Sequence, residues 1–179
     1  MKRKLGSILA AGILMSAVLL AQNGLATEGQ GYVAREVRHE ILTLPLYSVF
    51  DDIKYQVNGS EVTLTGWVTR PVLKRAIGNR ISQIEGVGKV DNQIDVLPLL
   101  SSDNAIRIAV YNAVYGNPAL QRYAFNSIPP VRIIVKFGRV TLDGVVNTTL
   151  DKKIAVMMAS QVTGVIGRVT DNISIDPKG

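Results

Sequence analysis

Val62-Thr63-Leu64-Thr65-Gly66-Trp67-Val68 returns later in the chain as Val140-Thr141-Leu142-Asp143-Gly144-Val145-Val146, with five of seven residues identical at a spacing of 78. The correspondence runs outward from there. Lys74-Arg75 answers to Lys152-Lys153, Ile84-Glu85-Gly86-Val87 to Val162-Thr163-Gly164-Val165, and Ile94-Asp95-Val96 to Ile173-Ser174-Ile175, the last at a spacing of 79. One net residue is therefore inserted near Ile166-Gly167. Four matched blocks in one order mean a duplicated unit. The chain divides into two tandem domains, expected over 31–97 and 101–176.

Each copy spells the same order of elements. Val33, Val37 and Ile41 recur every four residues, as one face of a helix does, and Ile106, Val110, Ala113 and Val114 repeat the pattern. Pro45 and Pro118 stop those helices. Alternation with period two then marks Ile53 to Val57 and Glu61 to Val68, with a turn at Asn58-Gly59 between them. Val131 to Phe137, Gly138-Arg139 and Val140 to Val146 form the counterpart. Gly66 and Gly144 lie inside the second strand, where glycine marks a bulge or a close approach of backbone. A second helix opens near Thr69 with Pro71 in its first turn and ends at Gly86; Thr149 and Gly164 bound its counterpart. A short third strand closes each copy, and a strand-helix-strand connection within one sheet is right-handed. The expected fold class is α+β: two tandem αββαβ domains, each a three-stranded sheet with two helices packed on one face.

The N-terminus has the composition of a secretory leader. Lys2-Arg3-Lys4 precedes a run of 14 residues, Ile8 to Ala21, whose only polar member is Ser16, and Gly24-Leu25-Ala26 supplies a cleavage site. Residues 1–26 are expected to leave as a signal peptide on export, with an uncleaved N-terminal anchor as the other reading; the run falls short of the roughly 20 residues a spanning helix needs. With no cysteine there is neither a lipid-modified N-terminus of the usual lipoprotein kind nor a disulfide framework, so packed cores must supply stability. Of the full-chain charge of +6, three positive charges lie in the leader, leaving +3. Glu28 to Pro98 holds 8 Lys/Arg against 9 Asp/Glu, and Leu99 to Gly179 holds 9 against 5, so the second half is basic. In an exported protein that charge suits anionic lipid, acidic glycan or an acidic protein patch. Nucleic acid is not an expected partner.

Catalysis finds little material. His39 is the only histidine, and it falls on the side of its helix opposite Val33, Val37 and Ile41. Without a second histidine or any cysteine it has no obvious co-ligand for a metal, so neither a metal nor another cofactor is expected. Asp51-Asp52 precedes a strand, where acidic residues commonly solvate a turn. Gly86-Val87-Gly88 and Gly164-Val165-Ile166-Gly167 end helices instead of opening them, so they lack the amides that cradle phosphate. Trp67 is expected in a core or between the domains, with an exposed ligand platform as the other reading. No enzyme is expected.

The sharpest difference between the copies lies in their second helices. Gly78-Asn79-Arg80 of the first is replaced by Val156-Met157-Met158 in the second. The stripe facing the sheet is expected to be Leu150, Ile154, Ala155, Met158, Ala159 and Val162, which leaves Val156 and Met157 as a further apolar flank. Lys152, Lys153 and Arg168 lie beside it. Such a flank either packs against the first domain, rests on a membrane surface or holds a protein partner.

The combined pattern resembles the BON domain: helix, hairpin, a Gly-x-Val-x-Leu-x-Gly-like strand, a helix ending in Gly-Val, then an asparagine-led strand. In the first copy these are Ser60-Glu61-Val62-Thr63-Leu64-Thr65-Gly66, Gly86-Val87 and Asn92-Gln93-Ile94, with Ser60 where the family often has glycine. In the second they are Gly138-Arg139-Val140-Thr141-Leu142-Asp143-Gly144, Gly164-Val165 and Asn172-Ile173. The resemblance implies a periplasmic envelope protein associated with phospholipid surfaces and with osmotic or envelope stress. Its expected partner is an anionic phospholipid surface met by the second domain through Lys152, Lys153, Val156, Met157 and Arg168. The alternative is a protein-binding or chaperone-like adaptor for envelope proteins.

Overall fold

The computed structural model describes residues 31–176. The leader expected over 1–26 lies outside them. A first helix, α1, covers 31–42, and its Val33, Val37 and Ile41 are buried while His39 is exposed, as the four-residue spacing requires. Strands β1 (Asp52–Asn58) and β2 (Glu61–Val68) form an antiparallel hairpin, followed by helix α2 (Pro71–Ile81). The third strand is broken in two, β3 (Lys89–Asn92) and β4 (Asp95–Val96), and both pieces pair with β2 in parallel. The break falls at Gln93-Ile94, where the Asn92 side chain accepts the Ile94 N–H at 3.3 Å and donates to the Lys74 carbonyl of α2 at 2.8 Å.

The second unit repeats this plan as α3 (Ser101–Tyr115), β5 (Val131–Lys136), β6 (Arg139–Val146), α5 (Thr149–Ser160) and β7 (Thr170–Ile175), with β6 central. It adds a short helix, α4 (Gln121–Ala124), between α3 and β5. The fold is thus the expected α+β pair of αββαβ units. Helix α5 starts one residue earlier than expected, because Thr148 rather than Thr149 is the N-cap and accepts the Asp151 N–H at 3.1 Å. Both central strands carry their glycine for the same reason: a Cβ on Gly66 or Gly144 would stand 2.1 Å from the Asp52 or Pro130 carbonyl oxygen.

Alternation sorts the two sheet faces. Val62, Leu64 and Val68 of β2, and Val140, Leu142 and Val146 of β6, are buried against their own helices. The opposite faces meet each other. Lys54 Nζ donates to Asp143 Oδ2 at 2.5 Å, and Lys136 Nζ stands 4.0 Å from the centroid of the Trp67 ring. Trp67 therefore takes the inter-domain role. The loop before β1 locks the units further. The Val49 carbonyl accepts the Ile133 N–H at the edge of β5 (2.9 Å), Val49 is buried in the second core, and Phe50 packs edge-on to Tyr111 at 6.2 Å.

The Asp51-Asp52 pair departs from the expectation of a solvated turn. Asp51 is fully buried, and its carboxylate accepts the N–H and hydroxyl of Ser48 (3.0 and 2.8 Å) and of Thr69 (2.6 and 2.8 Å). It pins the start of β1 to the end of β2. Asp52 faces Asp143: burial and that second carboxylate push the Asp52 carboxyl up, against the opposing pull of Lys54 and Arg132.

Candidate membrane-contact surface

Helix α5 is held down by its own first turn. Asp151 is buried, and its Oδ2 accepts Arg122 Nη2 (2.5 Å), the Tyr123 hydroxyl (3.0 Å) and the Thr148 hydroxyl (2.7 Å). Burial pushes this carboxyl up, but the hydrogen bonds from Thr148 and Tyr123 and the Arg122 guanidinium outweigh it and hold Asp151 below the usual carboxylate range. Ala155 and Ala159, on the same side of the helix as Asp151, are buried with small side chains that let α5 approach the sheet and α3.

That anchoring sets the phase of α5, and the phase corrects the expected stripe. Leu150, expected to face the sheet, is 64% exposed. Val156, expected on the free flank, packs against the second core. The first copy shows why: Val156 matches Gly78, whose Cβ would meet the Asn92 side chain at 2.8 Å, so this position looks toward the third strand. Lys152 also turns inward, donating to the Ile173 carbonyl at 2.5 Å and pairing with Asp171 at 3.2 Å. Met157 is 49% exposed, and Lys153 and Arg168 are exposed. Of the five residues named from sequence, Lys153, Met157 and Arg168 thus reach solvent, while Lys152 and Val156 serve the fold.

The outer face of α5 is therefore Leu150, Lys153 and Met157, at helical steps of three and four residues. Lys153 has no ion-pair partner among the described residues. The contacts between the two units lie on the sheet faces and the 47–52 loop, so this face is not covered by the first domain.

A second exposed apolar feature went unread in the sequence. Phe137 and Gly138 form the β5–β6 turn with φ of +52° and +75°. Buried Asp103 on α3 accepts both turn N–H groups at 2.8 Å, which holds an aromatic residue, 59% exposed, in left-handed backbone. Such a conformation costs about 1–2 kcal/mol outside glycine and asparagine. Ile166 lies against this turn, its N–H donating to the Gly138 carbonyl at 2.8 Å, and is 56% exposed. Arg139 and Arg168 flank the pair in sequence and are exposed. The available signal was a phenylalanine at a hairpin position where the first copy has Gly59.

Among the described residues no cluster of acidic or histidine side chains could hold a metal, and no helix is long and apolar enough to cross a membrane.

Two solved structures of CdsD, a structural protein of the type III secretion system of Chlamydia trachomatis, are similar to this chain at 14% identity. One, of the C-terminal domain, has a TM-score of 0.28 over 80% of this chain and 96% of that one. The other has a TM-score of 0.30 over 79% and 91%. No curated protein matches. The BON domain model matches twice, over residues 32–98 and 102–177, in register with the two αββαβ units, and the chain belongs to the BON domain family.

Proposed function

We propose that this protein is a non-enzymatic periplasmic envelope protein whose second BON domain rests on anionic phospholipid surfaces, in the service of envelope or osmotic stress maintenance. One observation carries the reading: α5 leaves Leu150 and Met157, 64% and 49% exposed, on either side of an unpaired Lys153. An apolar stripe with a free cation on it is the composition of a helix that lies in the headgroup region. The exposed Phe137–Ile166 tip with Arg139 and Arg168 has the same composition, and the basic balance of the second half supplies long-range attraction. Membership of a family known in phospholipid-binding envelope proteins supports the assignment. Binding is modest and reversible, since one apolar stripe without a lipid anchor gives marginal affinity.

Flotation of the leaderless chain with vesicles tests this. Binding is expected on vesicles containing phosphatidylglycerol at low salt, with loss on neutral vesicles and at high salt, where exposed charges are screened. Equal flotation on neutral vesicles would refute the electrostatic part of the reading.

A further inference from the structure

Between the two units runs a groove of about 600 Å³, lined by Leu46, Phe50, Arg70, Leu99, Leu100, Arg107 and Ile108 among others. The size falls within the roughly 300–1,000 Å³ of small-ligand clefts. Its apolar wall is open: Leu46 is 59%, Leu99 83%, Leu100 40% and Ile108 49% exposed. Leu46 is held there with φ of +70°, a left-handed conformation unfavourable to leucine.

The polar end is the unusual part. Arg107 is 4% exposed, donates Nη2 to the Val135 carbonyl at 2.7 Å, and leaves Nε buried without a partner. It makes no ion pair among the described residues. The two nearby carboxylates are already committed, Asp51 to Ser48 and Thr69 and Asp103 to the Phe137-Gly138 turn. Their charges offset part of the cost of burying the cation, but neither gives the Nε–H an acceptor, and a buried donor without one is costly until a ligand oxygen supplies it. Arg70 brings a second guanidinium to the same groove.

We propose that this groove binds a single long-chain alkyl carboxylate, with the chain along Leu46, Leu99, Leu100 and Ile108 and the head toward Arg107 and Arg70. The flat fork of a guanidinium matches a planar carboxylate in two parallel hydrogen bonds. The site is separate from the α5 face, and the proposal does not rest on the membrane reading.

Titration of the leaderless chain with laurate below its micelle concentration, followed by calorimetry, tests it. Laurate is expected to bind at one per chain, with acetate, dodecyltrimethylammonium and dodecyl phosphate at least about tenfold weaker. Leu99→Ser with Ile108→Ser, both on exposed positions, should weaken laurate about tenfold and leave vesicle flotation unchanged. Arg107→Met should abolish the preference for laurate over dodecyltrimethylammonium in a chain that a thermal melt shows to be folded, at some cost in melting temperature, because the Val135 carbonyl loses its donor and Asp51 and Asp103 lose a nearby cation. Absence of saturable laurate binding, equal binding of the cationic amphiphile, tighter binding of dodecyl phosphate, or indifference to the Leu99/Ile108 change would each overturn the proposal. The membrane reading is judged separately, by flotation.

Discussion

Lys54 of the first sheet donates its ammonium to Asp143 of the second at 2.5 Å, and the same ammonium lies 3.6 Å from Asp52. One cation thus sits between two carboxylates contributed by different domains. The two BON units meet through the faces that alternation turns away from their helices, and the residues there are charged because each face is only partly closed by its partner. This mode of docking leaves the helical side of the second domain free.

The interface is sensitive to pH through Asp52. Burial and the facing Asp143 raise its carboxyl in the folded chain. The resulting cost is absent below the unfolded carboxyl value of about 3.9 and complete above the raised folded value, so this group lowers stability as pH rises between them. Asp52→Asn should therefore melt about 1–2 °C above the parent at pH 7, a gain under about 1 kcal/mol, and lose that advantage near pH 3. Thermal scans at the two pH values check this; an equal difference at both would contradict it.

Asp151 titrates in the opposite sense. Its folded value is depressed, so its contribution is present above the unfolded carboxyl range and is lost as pH falls through the folded value. Asp151→Ala leaves the Tyr123 hydroxyl and Arg122 without their acceptor and removes a partner of the Thr148 cap. A loss of about 1–3 kcal/mol is expected at pH 7, shrinking in strong acid, by denaturant titration.

The Phe137 turn offers a test of strain. Phe137→Asn should raise stability by up to about 1 kcal/mol, since asparagine accepts left-handed backbone and the exposed ring has little burial to lose. Asp103→Ala should cost about 2–3 kcal/mol, because it strands the buried Gly138 N–H as well as that of Phe137. A Phe137→Asn variant less stable than the parent would show that the ring packs on something not accounted for.

Duplication, strand alternation and the two glycines of the central strands were legible because each follows from a short local rule. Gly66 and Gly144 both mark a close approach of carbonyl oxygen, and the exposed His39 follows from helical phase alone. The phase of α5 was not legible. Leu150, Ile154, Ala155, Val156, Met157, Met158 and Ala159 put apolar residues on every side, and the anchoring of Asp151 by Arg122 and Tyr123 fixes which side turns in. Asp51 was misread because its donors come from Ser48 and from Thr69, 18 residues away. Docking through the sheets was legible only at Trp67: Lys54, Lys136 and Asp143 have the composition of a solvated face until the second sheet is laid on the first.

The most direct test of the membrane assignment is flotation of Leu150→Ser/Met157→Ser on phosphatidylglycerol vesicles, alongside Lys153→Glu. Both substituted leucine and methionine side chains are exposed, so the double variant should unfold within about 0.5 kcal/mol of the parent. Val156→Ser, by contrast, should be destabilised because that side chain packs on the core. Loss of flotation in the double variant, with Lys153→Glu weakened by about 1 kcal/mol or more, is the predicted result. Undiminished flotation of a folded Leu150→Ser/Met157→Ser chain would contradict the assignment of the α5 face as the surface that meets the membrane.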